Sequence, residues 1–149
     1  MSAPRFASRA AAYAWASPNS ALGLIAGLLV LLLGGRARVV SGTAEFHGGV
    51  LGRFVASHPG SLRLSAVTLG HVILGVSAPR LDALRAHERV HVRQYERWGP
   101  FFLPAYALSS LRQLAHGRHW YRDNAFERQA SDVAGPRAAA RRRGGDRGR

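Results

Sequence analysis

Residues 86–99 read AHERVHVRQYERWG and set His87, Glu88 and His91 in the order H-E-x-x-H. Imidazoles four residues apart stand one above the other on a helix, close enough to hold one metal ion. A carboxylate directly after the first imidazole can take a proton from a water held by that ion, which is the logic of metal-assisted hydrolysis. The competing reading is a pair of core-edge histidines bonded to backbone. At about 100° per residue, Leu81, Leu84, His87, Glu88, His91, Val92, Tyr95 and Trp98 share one arc of about 140°. Arg85, Arg89, Arg93 and Arg97 line the opposite face with Glu96 among them, as a solvated stripe would. The two histidines and Glu88 therefore face inward. Titratable groups turned toward a core need partners, because their desolvation is costly.

A catalytic ion needs a third protein ligand. The chain has no cysteine, so thiolate sites and disulfides are excluded and the ligand must be His, Asp or Glu. A metzincin continuation requires glycine and histidine at positions 94 and 97, where this chain has Gln94 and Arg97. Glu96 falls on the arginine face. Later in the chain Asp123, Glu127 and Asp132 remain, with His116 and His119 beside Gly117 as alternatives. Glu127 lies 36 residues after His91, room enough for an apolar helix and a turn to bring a last helix back antiparallel. By itself, Glu127 also reads as a first-turn acid that complements a helix dipole.

The elements that must position these groups follow from pattern. SAPRLDALRAHERVHVRQYERWGP reads as a helix capped by Ser77, begun near Pro79 and closed by Gly99 and Pro100. FFLPAYALSSLRQLAHG is a second, largely apolar helix ended by Gly117, and DNAFERQASDVAG a third with Asp123 or Asn124 as cap. Before them, RVVSGTAEFHGG suggests a hairpin about its Ser-Gly pair. SLRLSAVTLGHVILGVS (61–77) alternates and then turns continuously apolar, a strand that enters the core partway. The expected class is α+β, a short antiparallel sheet packed on the histidine helix, with two further helices and an N-terminal apolar one.

That N-terminal segment, PNSALGLIAGLLVLLLGG, reads as a helix over 18–35 with Pro18 at its first position. Its 16 residues to Leu33 reach about 24 Å, borderline for a bilayer core of about 30 Å. Membrane anchor, interfacial helix, signal segment and buried core helix compete; no clear cleavage site follows, and membrane contact is favoured. Residues 1–17 would be an arm, 36–135 the domain and 136–149 a disordered tail. The tail RAAARRRGGDRGR holds six arginines against one aspartate, so five of the thirteen net positive charges sit there. The remaining excess suits an anionic neighbour. The arginines after the apolar helix favour a membrane-associated domain on the cytoplasmic side, with a soluble cytoplasmic protein as the alternative.

HERVHVRQYERWGPFFLPAY followed by YRDNAFERQA resembles a group of small bacterial zincin-like proteins. These pair an H-E-x-x-H-x-x-Q-Y-E-x-W-G helix with a downstream Y-x-D-N-P-F-E-x-x-A segment. The likeness spans about residues 64–131, and Ala125 stands where that segment has proline. By analogy with gluzincin metallopeptidases, it implies zinc (Zn2+) held by His87, His91 and Glu127, with Glu88 as catalytic base, and it implies no substrate; the peptidase reading itself expects a peptide or protein as partner. Asp123 or Asp132 could then orient a ligand histidine, and Tyr121, Arg122 or Tyr95 could stabilise an oxyanion. Trp98, Phe101, Phe102 and Tyr106 read as core or membrane-facing aromatics.

Two other classes compete. One is a structural zinc site tying helices together in a membrane-associated scaffold, without chemistry. The other is an arginine-rich binder of anionic lipid or nucleic acid; without aromatic-basic interleaving or a recognition helix, specific nucleic-acid readout is not expected.

Overall fold

The computed structural model describes residues 3–58 and 65–135, and for 3–8 the backbone alone. In chain order these form α1 (Ala3–Leu32), β1 (Gly35–Val40), β2 (Thr43–Gly48), α2 (Gly49–Ser57), β3 (Ala66–Leu69), β4 (Val72–Gly75) and α3 (Ala78–Trp98). A 3-10 turn (Gly99–Phe101), α4 (Phe102–Ala115) and α5 (Ala125–Ala134) complete it. The expected α+β class holds. The strands order β1-β2-β4-β3, with Ala37 opposite Phe46 in the first antiparallel hairpin and Val67 opposite Leu74 in the second.

The two hairpins meet through a parallel pair, β2 with β4 (Ala44 beside Val72), so the sheet is mixed where an all-antiparallel one was expected. The run expected as one strand over 61–77 is two strands folded about Gly70 and His71; its residues 61–64 lie outside the described residues. Composition explains the order. β4 is the more apolar strand and takes an interior place with Val72 and Ile73 buried, while alternating β3 takes an edge.

Side-chain alternation splits the core across the two faces of the sheet. Phe46 and Val72, with Ala44 and Leu74 beside them, pack on Val30 of α1. Ile73, on the other face, packs with Leu81 and Val92 of α3. Beyond the sheet, Ala16, Tyr95 and Phe102 join α1, α3 and α4, with Phe126 of α5 against them. The helix α1 comes very close to the sheet. A Cβ at Gly23 would lie 2.6 Å from Val72 Cβ, and one at Gly27 2.6 Å from the Phe46 ring, so only glycine permits the approach.

Two expectations about helices change. Pro18 was expected to start the apolar helix, yet α1 runs through it from Ala3. Proline lacks the N–H that would bond the carbonyl of Ala14; the Ser17 hydroxyl donates to that carbonyl instead, at 2.7 Å. The arginine stripe of α3 is not uniformly solvated. Arg85 donates twice to Glu45 of β2, at 2.8 and 3.0 Å, and Arg38 of β1 donates to the same carboxylate at 2.7 Å. Asp82 accepts from both arginines. This network clamps the first turns of α3 to the hairpin, one turn before His87. The 136–149 tail lies outside the described residues.

Candidate metal centre

The helix α3 begins after Ser77 with proline in its first turn and no side-chain cap. Its H-E-x-x-H turn is its most polar buried stretch: Glu88 and His91 are buried and His87 is half-buried. Glu127 arrives on α5. Asn124 caps that helix by accepting from the Phe126 N–H at 2.9 Å. The Asn124 side-chain amide also donates to Tyr106 O and to Ser110 Oγ of α4, at 3.1 and 2.7 Å. Asn124 thus fixes where α5 starts, and its first turn delivers Glu127 to the histidines.

His87 Nε2 and His91 Nε2 lie 3.2 Å apart, His87 Nε2 is 3.3 Å from Glu127 Oε2, and His91 Nε2 is 3.4 Å from Glu127 Oε1. A tetrahedral ion with bonds of roughly 2.0–2.1 Å has ligand–ligand edges of about 3.3–3.4 Å. The three contacts have those lengths, the two to Glu127 being made by its two different oxygens. These three residues, two on α3 and one on α5, form a compact His/His/Glu cluster whose geometry is consistent with a zinc site.

The protonation pattern agrees. Gln94 donates from its amide nitrogen to Phe126 O and Gln129 Oε1, at 3.1 and 2.8 Å, which turns its oxygen toward His91. His91 Nδ1 lies 2.8 Å from that oxygen and must carry the proton, so in neutral His91 the Nε2 lone pair faces the cluster. Burial alone would lower the His91 pKa, but the hydrogen bond and charge of Glu127, then the charge of Glu88, raise it. For Glu127, burial works upward and is outweighed by hydrogen bonds from His87 and His91 in their protonated forms and from Tyr106; the carboxyl is held well below its usual range. The pocket concentrates lone pairs and negative charge on one point, as a cation site requires.

Glu88 lies beside the cluster, its Oε2 accepting from Thr68 Oγ1 of β3 at 2.7 Å. Both line a cavity of about 240 Å³ with His91, Glu127, Phe102, Leu103 and Trp120. A second cavity, about 370 Å³ and lined by small residues including Ala83, Ala86 and Ser131, shares Glu88 and Tyr121 with the first. The cluster therefore sits where two cavities meet, and β3 borders it as the sheet's edge strand among the described residues.

The other expected groups are placed variously. Tyr121 lines both cavities, and burial, then the Glu127 carboxylate, push its hydroxyl pKa upward. Tyr95 is buried in the core and lines the first cavity. Arg122 is exposed, and its backbone N–H meets His119 Nδ1 at 3.3 Å. Asp123 accepts from the His119 N–H at 2.8 Å, and with Asp132 it borders a surface depression apart from the cluster. The orienting contact expected of Asp123 or Asp132 is made at His91 by Gln94. His116 and His119 stand outside the cluster.

Three contributors went unread in the sequence: Gln94, Thr68 and Tyr106. Tyr106, expected as a core or membrane-facing aromatic, donates its hydroxyl proton to Glu127 Oε1 at 2.9 Å. A signal existed only for Gln94, one turn past His91 and two past His87 on their own face. No family model, curated protein or solved structure matches the chain. What stands is a His/His/Glu triad on a helical core, consistent with a zincin-like fold.

Proposed function

We propose that this protein is a zinc-dependent peptide hydrolase in which His87, His91 and Glu127 hold the ion and Glu88 is the base. The observation that carries the reading is the set of contacts at 3.2, 3.3 and 3.4 Å that gathers the two imidazoles and the Glu127 carboxylate, open to a cleft that Glu88 also lines. Bound zinc would supply Lewis acidity to a carbonyl and acidity to a water.

The chain's own residues supply the rest. Gln94 keeps the Nδ1 proton on His91 so that Nε2 stays available as a ligand atom. Thr68 donates to Glu88 Oε2, leaving Oε1 to take a proton from the attacking water and pass it to the leaving amine. Tyr121, lining both cavities, is the candidate donor to a developing oxyanion. The edge of β3, which pairs with no strand among the described residues, suits an extended peptide, whose backbone can pair with it as an added strand. The aromatic and aliphatic walls of the first cavity suit an apolar side chain on that peptide. His87, with 20% of its side chain exposed, keeps the cluster open to solvent, which favours catalysis over a closed structural site.

The described residues contain one helix long and apolar enough to cross a membrane, within Arg9–Leu32. The proposal sets the hydrolase at a membrane surface, on the cytoplasmic side that the arginines after α1 favour.

The test joins metal analysis to turnover. Protein purified without added zinc is expected to carry about one equivalent, lost in His91→Ala. Glu88→Gln is expected to keep the metal and lose hydrolysis of a mixed peptide library. Turnover undiminished in Glu88→Gln overturns the assignment of the base, and absence of metal from the parent protein overturns the whole reading.

A further inference from the structure

We infer that α1 is a monotopic membrane element: together with α2 it lays one apolar face into a single leaflet containing anionic lipid and does not cross the bilayer. The inference is independent of the hydrolase reading.

By length and hydropathy, Arg9–Leu32 passes for a span. Its packing argues otherwise. Ala16, Asn19, Gly23, Gly27 and Val30 form a buried stripe at three- and four-residue spacing, which the domain covers. The contacts run the length of the helix. The Tyr13 hydroxyl donates to Gly42 O at 2.6 Å, Asn19 donates to Gly99 O at 2.9 Å, and Ser20 Oγ accepts from the His71 N–H at 3.0 Å. Gly23 and Gly27 press on Val72 and Phe46, and Leu33 O accepts from the Val50 N–H at 2.9 Å. A crossing helix would carry these turns, and edge strand β1 with Arg36 and Arg38, to hydrocarbon depth. Unpaired edges and loops are not tolerated against lipid. Pulling the helix free would instead expose the Phe46–Val72 core.

Among the described residues, none covers the opposite face. Leu22, Leu24, Ile25, Leu28, Leu29 and Leu32 are exposed, Ile25 at 67% and Leu32 at 75%. At the C-terminal end of α1 the surface continues onto α2 through Val50 and Phe54, both more than half exposed. Between the helices lies an apolar groove of about 300 Å³, lined by Ala26, Leu29, Leu51, Val55 and Val76. An exposed apolar surface of this extent marks an interaction site.

Charge identifies the occupant. Up to residue 81 the chain has a single acid, Glu45, and that one is buried and paired with two arginines. Arg9, Arg36 and Arg53 are exposed around the apolar face. An apolar face rimmed by uncompensated cations matches the boundary between acyl chains and anionic head groups, with insertion of about 5–10 Å.

The absence of cysteine makes single-cysteine reporters clean. The full chain is mixed with phosphatidylcholine vesicles with and without phosphatidylglycerol. A polarity-sensitive dye on Ile25→Cys, Leu32→Cys or Phe54→Cys is expected to shift to the blue and to be quenched by shallow lipid quenchers at all three positions. Ala11→Cys and Ala37→Cys, flanking the exposed face, are expected to react with an impermeant maleimide from the same side of sealed vesicles. Omitting phosphatidylglycerol, or the paired substitutions Ile25→Asp and Leu32→Asp, is expected to weaken flotation at least tenfold, with the variant's circular dichroism unchanged. Labelling of positions 11 and 37 from opposite sides would overturn the inference in favour of a span. Dye shifts that occur without vesicles and scale with protein concentration would overturn it in favour of a second copy of the chain. Failure of the parent protein to float would overturn it outright.

Discussion

Gln94 accepts the Nδ1 proton of His91 at 2.8 Å while donating to Phe126 O, so a residue on α3 sets a ligand's tautomer and ties it to α5 in one side chain. Groups of this kind hold metal ligands in their reactive form, and their removal costs roughly 10–100-fold in metal affinity. Gln94→Leu is expected to weaken zinc binding by that factor, read by competition with a chelating dye. Unchanged affinity would mean that His91 is oriented by packing alone.

Thr68 does for Glu88 what Gln94 does for His91, from the sheet. In Thr68→Val the carboxylate loses its donor and gains rotational freedom. Small misplacements of a reacting group cost up to about 100-fold in rate, so turnover is expected to fall about 10- to 100-fold while zinc content stays constant. A fall in zinc content would instead assign Thr68 to the integrity of the metal site.

Zinc binding is expected to strengthen with rising pH. The His91 pKa is raised above 6.5, so near neutrality a proton competes with the ion for Nε2. Affinity should climb until the pH passes that raised value and then level off. Calorimetry in buffers of different ionisation enthalpy would reveal the released proton, and a pH-independent affinity would rule out a competing His91 proton.

Glu45 links the hairpin to α3 beneath the metal centre. Breaking a buried ion pair by removing one partner costs about 3–5 kcal/mol; Glu45→Gln is expected to lose about 3 kcal/mol in urea unfolding, since its amide still accepts one bond. Arg85, then Arg38, hold the Glu45 pKa below its ordinary 4.5 against the opposing effect of burial. Its stabilising contribution is therefore complete above about pH 4.5 and fades as the pH falls through the lowered folded value. Below that value the variant and the parent should converge.

Gly27 meets the Phe46 ring with no room for a side chain. Gly27→Val is expected to lift α1 from the sheet and cost about 1–3 kcal/mol, seen as a lower melting temperature. A stability within error of the parent would show that α1 can slide without loss.

The sequence by itself determined what is local and periodic. The four-residue spacing of His87 and His91, with Glu88 on the same arc, needed only the helical repeat, and the Ser41–Gly42 hairpin needed only its turn. Three of the expected helices stand where capping residues and glycines put them. The candidate third ligand was legible among few acids, but sequence spacing left Asp123, Glu127 and Asp132 open. Their selection depends on how Asn124 of α5 docks on α4, which joins residues 14 and 18 positions apart.

Tertiary structure alone decided the rest. The partners of Glu88 and Glu127, Thr68 and Tyr106, sit 20 and 21 residues away, and nothing in a chain's local pattern records which distant hydroxyl will meet a carboxylate. The parallel seam of β2 and β4 arises because the more apolar strand takes the interior of the sheet, a choice made by burial when both hairpins are present. The same holds for α1. Its composition is that of a span, and only the packing of its glycine-containing stripe on the sheet reveals that one face of it belongs to the domain.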